Sequence, residues 1–186
     1  MKRCDWAKGL DIEIEYHDTE WGVYKGDDAH FFEFIVLESF QAGLSWKTIL
    51  VKREAMRQAY FNFDVNKLAQ AKQDDLDRWM LNPDLIRSKL KGKSLISNAQ
   101  AFIQLVNEFG SFENYLKTFI PNLPIVHNIE TIQDVPAEDE ASTAIAKDLK
   151  KRGFKFVGPL IMYAFLQATG VYDDHINDCF RKQSKD

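Results

Sequence analysis

Four side chains of metal-binding type lie in two pairs near the ends of the chain: Cys4, His17, His175 and Cys179. On a helix, the four-residue spacing of His175 and Cys179 would place both on one face. Two thiolates and two imidazoles suit tetrahedral Zn²⁺, and four protein ligands leave no position for a reacting water. The pattern indicates a structural metal site, although spacing alone also allows unrelated buried thiols and imidazoles.

Two features favour the metal. Cys4 and Cys179 are the only two cysteines of the chain, and a disulfide between them would be unusual in a reducing cytoplasm. A metal shared by the two pairs would also join the terminal segments and close a very long loop, where a cross-link restricts the unfolded chain most in principle. His30 and His127 have no such partners and are predicted to be ordinary surface or loop residues.

One carboxylate stands in an apolar setting. On a helical wheel of residues 31–40, Glu38 falls between Phe31 and Phe34 on the apolar face, whereas Glu33 points away as a solvated charge would. Burying an unpaired carboxylate costs roughly several kcal/mol. Glu38 therefore either caps the next helix, bends out to solvent or is held for a ligand.

Three aromatic residues, Tyr16, Trp21 and Trp46, lie close in sequence to Glu38 or to His17. Rings around one acid suit a flat cationic ligand, which they hold by stacking and cation–π attraction while the carboxylate accepts its N–H groups. The alternative is simple core packing.

The chain carries −4 net charge, which disfavours non-specific nucleic-acid binding by overall charge. Residues 150–158, KKRGFKFVG, nevertheless form a basic hairpin between two predicted helices, where free N–H groups and a helix N-terminus can bind phosphate. Such runs are also typical of solvated faces. A second basic run comprises Arg87, Lys89, Lys91 and Lys93.

Helical periodicity dominates, so an all-α fold is expected, as one domain over residues 1–186 or as two closely packed lobes. The start of the chain lacks a signal peptide pattern, and no apolar run reaches the length of a membrane span, so we expect a cytoplasmic protein. A loop with three prolines is predicted over residues 121–136. Helices are predicted at residues 28–40, 45–60, 65–71, 74–80, 86–108, 111–120, 141–152 and 159–169.

Five segments together resemble the DNA-3-methyladenine glycosylase I family of the helix-hairpin-helix glycosylases. The resemblance spans almost the whole chain in order, and the second, third and fourth segments are specific to that family. The segments are RCDW (3–6), EYHDTEWGV (15–23), LESFQAGLSWKTIL (37–50), KKRGFKFVGP (150–159) and DDHINDC (173–179).

The resemblance implies one structural zinc per chain, held by the four cysteine and histidine residues. It implies that Glu38 and Tyr16 hydrogen-bond the damaged base and serve catalysis, that Trp46 stacks on the base, and that Trp21 and Trp6 line the pocket. Gly43 and Leu44 would enter the base stack. The residues expected to contact the DNA backbone are Lys151, Arg152, Gly153, Lys155 and Gly158.

The implied reaction is hydrolysis of the N-glycosidic bond of 3-methyladenine in double-stranded DNA, with the free base as product. The methylated base already carries a positive charge, so the leaving group needs no proton, and the enzyme must extrude the nucleotide and admit water. No Schiff-base lysine is expected. We also expect a monomer with no membrane partner.

Two pairs of residues either depart from the family pattern or have a role that the sequence does not decide. Ser39 and Phe40 replace an expected smaller and an expected polar residue, which predicts an altered pocket entrance. Asp173 and Asp174 lie near where the larger superfamily has a catalytic aspartate, but Asp174 is interpreted as a helix cap or a partner of His175.

Three other classes of protein remain as alternatives. A non-enzymatic binder of damaged DNA would keep the pocket and release no base. A zinc-stabilised helical interaction domain would not bind DNA in a salt-dependent way. A zinc hydrolase is the least favoured, because four protein ligands close the metal site.

Overall fold

The computed structural model describes residues 1–182, and over this range it confirms the all-α prediction. Two two-residue strands, β1 (Ile125–Val126) and β2 (Tyr172–Asp173), pair in parallel. The helices are α1 (Asp11–Thr19), α2 (Asp28–Gln41), α3 (Trp46–Ala59), α4 (Val65–Ala69), α5 (Gln73–Leu81), α6 (Lys89–Phe109), α7 (Phe112–Lys117), α8 (Glu140–Lys151) and α9 (Pro159–Ala168). All nine contribute residues to one hydrophobic core.

Helix α2 is the central element of this core. From His30 to Phe40 every residue except Glu33 is buried, and α2 contacts α3, α6, α7 and α9. A helix that is apolar on nearly every face is stable only when other elements surround it. The carboxyl group of Glu38, in the last turn of α2, is therefore carried into the interior by its neighbours.

Local end signals explain why most predicted helices are found. The Ser45 hydroxyl accepts a hydrogen bond from the Thr48 amide at 3.2 Å and begins α3. Gly110 ends α6 with φ 84°, and Pro159 is the first residue of α9. Helices α8 and α9 pack together, with the basic hairpin between them, as the helix-hairpin-helix prediction requires.

Helix α1 was not predicted from the sequence. Its apolar residues Ile12, Ile14 and Tyr16 alternate with acidic ones, a period of two that does not resemble an amphipathic helix. The helix is stabilised by tertiary packing, since it contacts α3 and buries Tyr16 and His17.

Residues 175–179 are not helical, so His175 and Cys179 do not share a helix face. The chain leaves β2 and forms a turn in which the His175 amide donates to Asp173 Oδ1 at 3.0 Å and the Cys179 amide donates to the Ile176 carbonyl at 2.8 Å. The carboxylate of Asp173 competes for the amide that would begin a helix. The turn still brings His175 and Cys179 together.

Gly170 follows α9 with φ 72°, and a Cβ there would overlap the backbone of Val23 and Tyr24. We predict that Gly170→Ala lowers the free energy of unfolding by about 3 kcal/mol, because it adds left-handed backbone strain to overpacking. Chemical denaturation measures the change. Gly158→Ala is the matched control, since φ there is −72° and no atom lies within 4 Å of an added Cβ. Equal losses in both variants would contradict the close approach.

Candidate active site

The four predicted metal ligands meet in one buried cluster, with their ligand atoms all within 4.8 Å of one another. The Sγ–Nδ1 distances from Cys4 and Cys179 to His175 are 3.6 and 3.5 Å, and Cys179 Sγ lies 3.4 Å from His17 Nε2. A tetrahedral zinc with ordinary bond lengths requires S···N separations of about 3.6 Å. The donor set therefore fits a tetrahedral metal.

Outer partners orient both imidazoles. His17 Nδ1 lies 2.8 Å from Asp18 Oδ1, and Arg3 holds that carboxylate through contacts of 2.7 to 3.0 Å. His175 Nε2 donates to the Trp21 carbonyl at 3.2 Å. These contacts leave His17 Nε2 and His175 Nδ1 facing the sulfur atoms. Burial lowers the pKa of His175 to about 4, so the ring is neutral, which is the form that binds metal.

Next to this cluster lies a cavity of about 340 Å³. All five residues predicted to line a base pocket do so: Trp6, Tyr16, Trp21, Glu38 and Trp46. The remaining lining residues are Cys4, Glu13, Gln41, Ile132, Val135, Ala164, Gln167, Asp174 and Ile176. No lysine, arginine or histidine is among these lining residues, so the charged groups facing the cavity are all acidic.

The aromatic wall of the cavity continues into the metal cluster. The rings of Tyr16 and Trp46 lie 5.3 Å apart, those of Trp6 and Trp21 lie 5.1 Å apart, and Trp21 meets the His175 ring edge-on at 4.5 Å. On α1, Tyr16 faces the cavity and the next residue, His17, belongs to the cluster. The two sites therefore share their supporting elements.

Glu38 is only 3% exposed, and its Oε2 atom has no hydrogen-bond partner within residues 1–182. The alternatives of a helix cap or a solvated side chain are thereby excluded, and Ser45 caps α3 instead. Burial raises the pKa of Glu38 to about 8. Trp46 Nε1 is likewise buried and unpaired in the described chain. The cavity wall thus contains polar groups that the protein itself leaves unsatisfied.

The family model described as methyladenine glycosylase matches residues 6–182. The chain belongs to this family. It is 42% identical to the DNA-3-methyladenine glycosylase of Haemophilus influenzae and 41% identical to DNA-3-methyladenine glycosylase 1 of Escherichia coli. These alignments cover 98% and 96% of this chain, and the same shares of the two relatives.

A solved structure of this methyladenine glycosylase family has the same fold. The 3-methyladenine DNA glycosylase I of Staphylococcus aureus, solved to explain how it recognises 3-methyladenine, is 35% identical. It superimposes with a TM-score of 0.95 over 100% of this chain and 99% of its own. Membership of this family excludes two of the alternative classes for this protein, the zinc-stabilised interaction domain and the zinc hydrolase.

The turn between α2 and α3 presents the predicted wedge. Gly43 has φ 77°, and Leu44 is 39% exposed. Both line a surface groove that shares Gln41, Ala164 and Gln167 with the cavity. A nucleotide lying in this groove would have its base beside the cavity entrance.

The hairpin between α8 and α9 keeps most of its predicted features. Lys151 and Lys155 are exposed, Gly153 has φ 100°, and Gly158 is the N-cap of α9. The prediction of a phosphate contact for Arg152 is not supported. Its guanidinium donates to Asp148 at 2.5 Å and to Glu108 at 2.6 Å, so it fastens α8 to α6.

The second basic run likewise contains both exposed side chains and one that is held by protein partners. Arg87, Lys89 and Lys93 are exposed. Lys91 is 8% exposed, and its ammonium group donates to the carbonyls of Phe40 and Ala42, at 2.7 Å each. Lys91 is therefore unable to contact a phosphate.

The predicted effect of Ser39 and Phe40 on the pocket entrance is wrong. Ser39 is buried, and its hydroxyl donates to the Val36 carbonyl at 2.9 Å. Phe40 packs in the core against Tyr60, with ring centres 5.9 Å apart. Neither side chain lines the cavity, because α2 turns this face towards the core.

Asp174 does not pair with His175 and caps no helix. Its carboxylate accepts hydrogen bonds from His127 Nδ1, the Tyr163 hydroxyl and Gln167 Nε2, at 2.6 to 2.8 Å. Although burial opposes ionisation, these donors hold the pKa of Asp174 below its usual value. The cavity wall therefore combines a permanent carboxylate, Asp174, with a protonatable one, Glu38.

Three surface assignments also need correction. His127 lies in a loop, as predicted, but Asp174 is its partner. His30 is buried in α2, with its ring 4.8 Å from that of Phe34. Glu33 is held by Arg53 and Arg57 at 2.8 and 2.7 Å and is not solvated. The partners of His127 and Glu33 come from distant parts of the chain, which a helical wheel does not include.

We predict that Glu38 makes the stability of the ligand-free protein depend on pH. The pKa of Glu38 is higher in the folded protein, about 8, than in the unfolded chain, so the folded state binds more protons. Stability is therefore lost as pH rises from about 4.5 to 8, by up to about 5 kcal/mol.

Glu38→Gln should abolish this loss, so that the variant is more stable than the unsubstituted protein at pH 9 and similar at pH 4.5. Denaturant unfolding across pH measures the difference. Glu54→Gln, on the exposed side of α3, is the control and should give a flat difference. A flat difference for Glu38→Gln as well would show that the Glu38 carboxyl is solvated.

Proposed function

We propose that the protein is a monofunctional DNA glycosylase that hydrolyses the N-glycosidic bond of 3-methyladenine in alkylated double-stranded DNA. Family membership supports this activity. The observation that carries the mechanism is the buried carboxyl of Glu38, which has no hydrogen-bond partner at Oε2 and faces an aromatic cavity without basic lining residues over the described range 1–182. Such a cavity is complementary to a flat ring with positive charge.

Recognition of the base uses the charge of the lesion. 3-Methyladenine in DNA is cationic, and its approach favours the ionised form of Glu38, which then accepts N–H groups of the base. Trp46 and Tyr16 supply ring faces for stacking and cation–π attraction. Neutral adenine offers no charge to offset the cost of ionising a buried acid, so it binds less well.

Hydrolysis needs no proton donor for the leaving group. The C1′–N bond breaks with its electron pair going to the base, which leaves as neutral 3-methyladenine. Water supplies hydroxyl to C1′ and gives its second proton to the solvent. Among residues 1–182 no lysine lines the cavity, so the proposed reaction forms no Schiff base there and leaves the DNA strand uncut.

Binding of DNA places the base in the cavity by extrusion, which costs about a few kcal/mol and less for a damaged pair. Leu44 fills the space that the base leaves. The hairpin holds the backbone with Lys151, Lys155 and the amides near Gly153 and Gly158. One chain supplies the complete cavity, so we propose a monomer that acts on DNA in the cytoplasm.

We also propose one structural zinc, bound by Cys4, His17, His175 and Cys179. The S···N separations fit a tetrahedral ion, and four protein ligands fill its coordination sphere. Bound zinc supplies a cross-link between the two ends of the chain and no reactive water. Through Trp21 and α1, this cross-link keeps the aromatic wall of the cavity in place.

The proposed activity is tested by incubating methylated duplex DNA with the protein and separating the released bases by chromatography. We expect 3-methyladenine release, reduced about 100-fold in Glu38→Ala, because one charged hydrogen bond and its cation attraction are lost. Glu54→Gln is again the control. Binding of the DNA without any base release would favour the non-enzymatic binder. Unchanged release by Glu38→Ala would remove Glu38 from the mechanism.

Metal analysis of the purified protein tests the zinc proposal. We expect one zinc per chain, and we expect Cys179→Ala to lose most of it together with thermal stability, because the terminal segments are no longer joined. Asp178→Ala is the matched control, since Asp178 is an exposed neighbour paired with Lys2. Stoichiometric metal that survives the loss of both cysteines would reject this ligand set.

A further inference from the structure

Lys91 contacts the C-terminal end of α2 through its side chain. Lys91 lies in the first turn of α6, and its stem and ammonium group are buried. Its ammonium group reaches the carbonyls of Phe40 and Ala42 at 2.7 Å. No carboxylate forms an ion pair with it among residues 1–182. The positive charge is thus directed onto the backbone of the turn between α2 and α3.

The carbonyls of Phe40 and Ala42 lie at the C-terminal end of α2, where the helix itself supplies no hydrogen-bond donor for them. The last four carbonyls of a helix lack intrahelical hydrogen bonds, and Ala42 leaves helical geometry with φ −47° and ψ 114°. Gly43 follows with φ 77°, and the Leu44 amide donates back to Gln41 at 2.7 Å. Lys91 therefore fixes the base of a tight turn whose exposed tip is Leu44.

Keeping a buried ammonium group here is costly. Desolvation of a charge that has no counter-ion is unfavourable, and burial lowers the pKa of Lys91. An apolar side chain would fill the same space without this penalty. The hydrogen bonds of Lys91 are thus better explained by their effect on the conformation of the turn than by a contribution to the free energy of folding.

We propose that Lys91 is a positioning residue for DNA: it holds the turn of Ala42, Gly43 and Leu44 rigid, so that Leu44 enters the base stack as the lesion leaves. This inference rests on the proposed function. A turn that is ordered before DNA arrives does not lose conformational entropy on insertion. Lys91 acts only through Leu44 and touches neither the base nor the reacting atoms.

The test compares Lys91→Met, which keeps the apolar stem and removes the donors, with the unsubstituted protein. On methylated duplex DNA we expect kcat/KM for 3-methyladenine release to fall about tenfold, the equivalent of one charged hydrogen bond. Release from methylated single-stranded DNA and the Kd for free 3-methyladenine should not change, because neither needs a wedge. Lys67→Met, at an exposed position of α4, is the control for the same chemical change.

A double-substitution cycle with Leu44→Ala tests the coupling directly. We expect Lys91→Met to have no further effect on kcat/KM when Leu44 is already absent. Independent, multiplicative losses would overturn the proposal, and so would an equal loss on single-stranded DNA or of free-base binding, since both indicate a general defect of folding.

Thermal melts check that each variant is folded. Lys91→Gln, which keeps a donor without the charge, replaces Lys91→Met if the latter does not fold. Failure of the proposed function itself would be visible separately, as absent base release by the unsubstituted protein.

Discussion

The site depends on one unfavourable interaction: a carboxyl group held in the protein interior, with no partner in the part of the chain that the structure describes. Helix α2 is surrounded by other helices, so Glu38 is unable to reach solvent without unpacking the core. Protonation avoids the cost of burying the charge, since burial raises the pKa of Glu38 to about 8, and a cation in the cavity would offset the cost of the ionised form. The protein therefore folds in spite of the free energy that the buried Glu38 carboxyl costs. A cationic ligand would supply the partner that this carboxyl lacks in the described chain.

Stability and recognition are linked through short connections between elements. Tyr16 and His17 are adjacent in α1, so one helix positions both a cavity wall and a member of the cysteine–histidine cluster. The turn after β2 supplies His175 and Cys179 to the cluster and Asp174 to the cavity. In this arrangement the terminal segments, usually the least ordered parts of a domain, form one side of the site.

The sequence predicted those features that depend on local patterns. Helix α2, the Ser45 cap and the end of α6 at Gly110 follow from periodicity and capping signals. The base-pocket aromatics, the metal ligands and Glu38 were found because rare residue types stood in motifs that resemble a family. Helix α1 was missed because its period-two pattern is overridden by packing.

Hydrogen bonds between residues that are distant in sequence could not be predicted from the sequence. Arg152, Lys91 and Asp174 were assigned from their neighbours in sequence, but their partners Glu108, Phe40 and His127 lie 44 or more residues away. A charged side chain takes its role from what faces it in space. Glu13 was missed for a related reason, since it lines the cavity only because α1 is helical.

Trp21 serves the two sites with different parts of itself. Its ring lines the cavity, while its carbonyl oxygen accepts the hydrogen bond of His175. Every amino acid has that carbonyl, so the histidine can stay oriented whatever side chain position 21 carries. Gly22 is the constrained neighbour, because a Cβ there would lie 2.9 Å from His175 Nε2. Evolution could therefore reshape the pocket wall for a different damaged base and leave the scaffold intact.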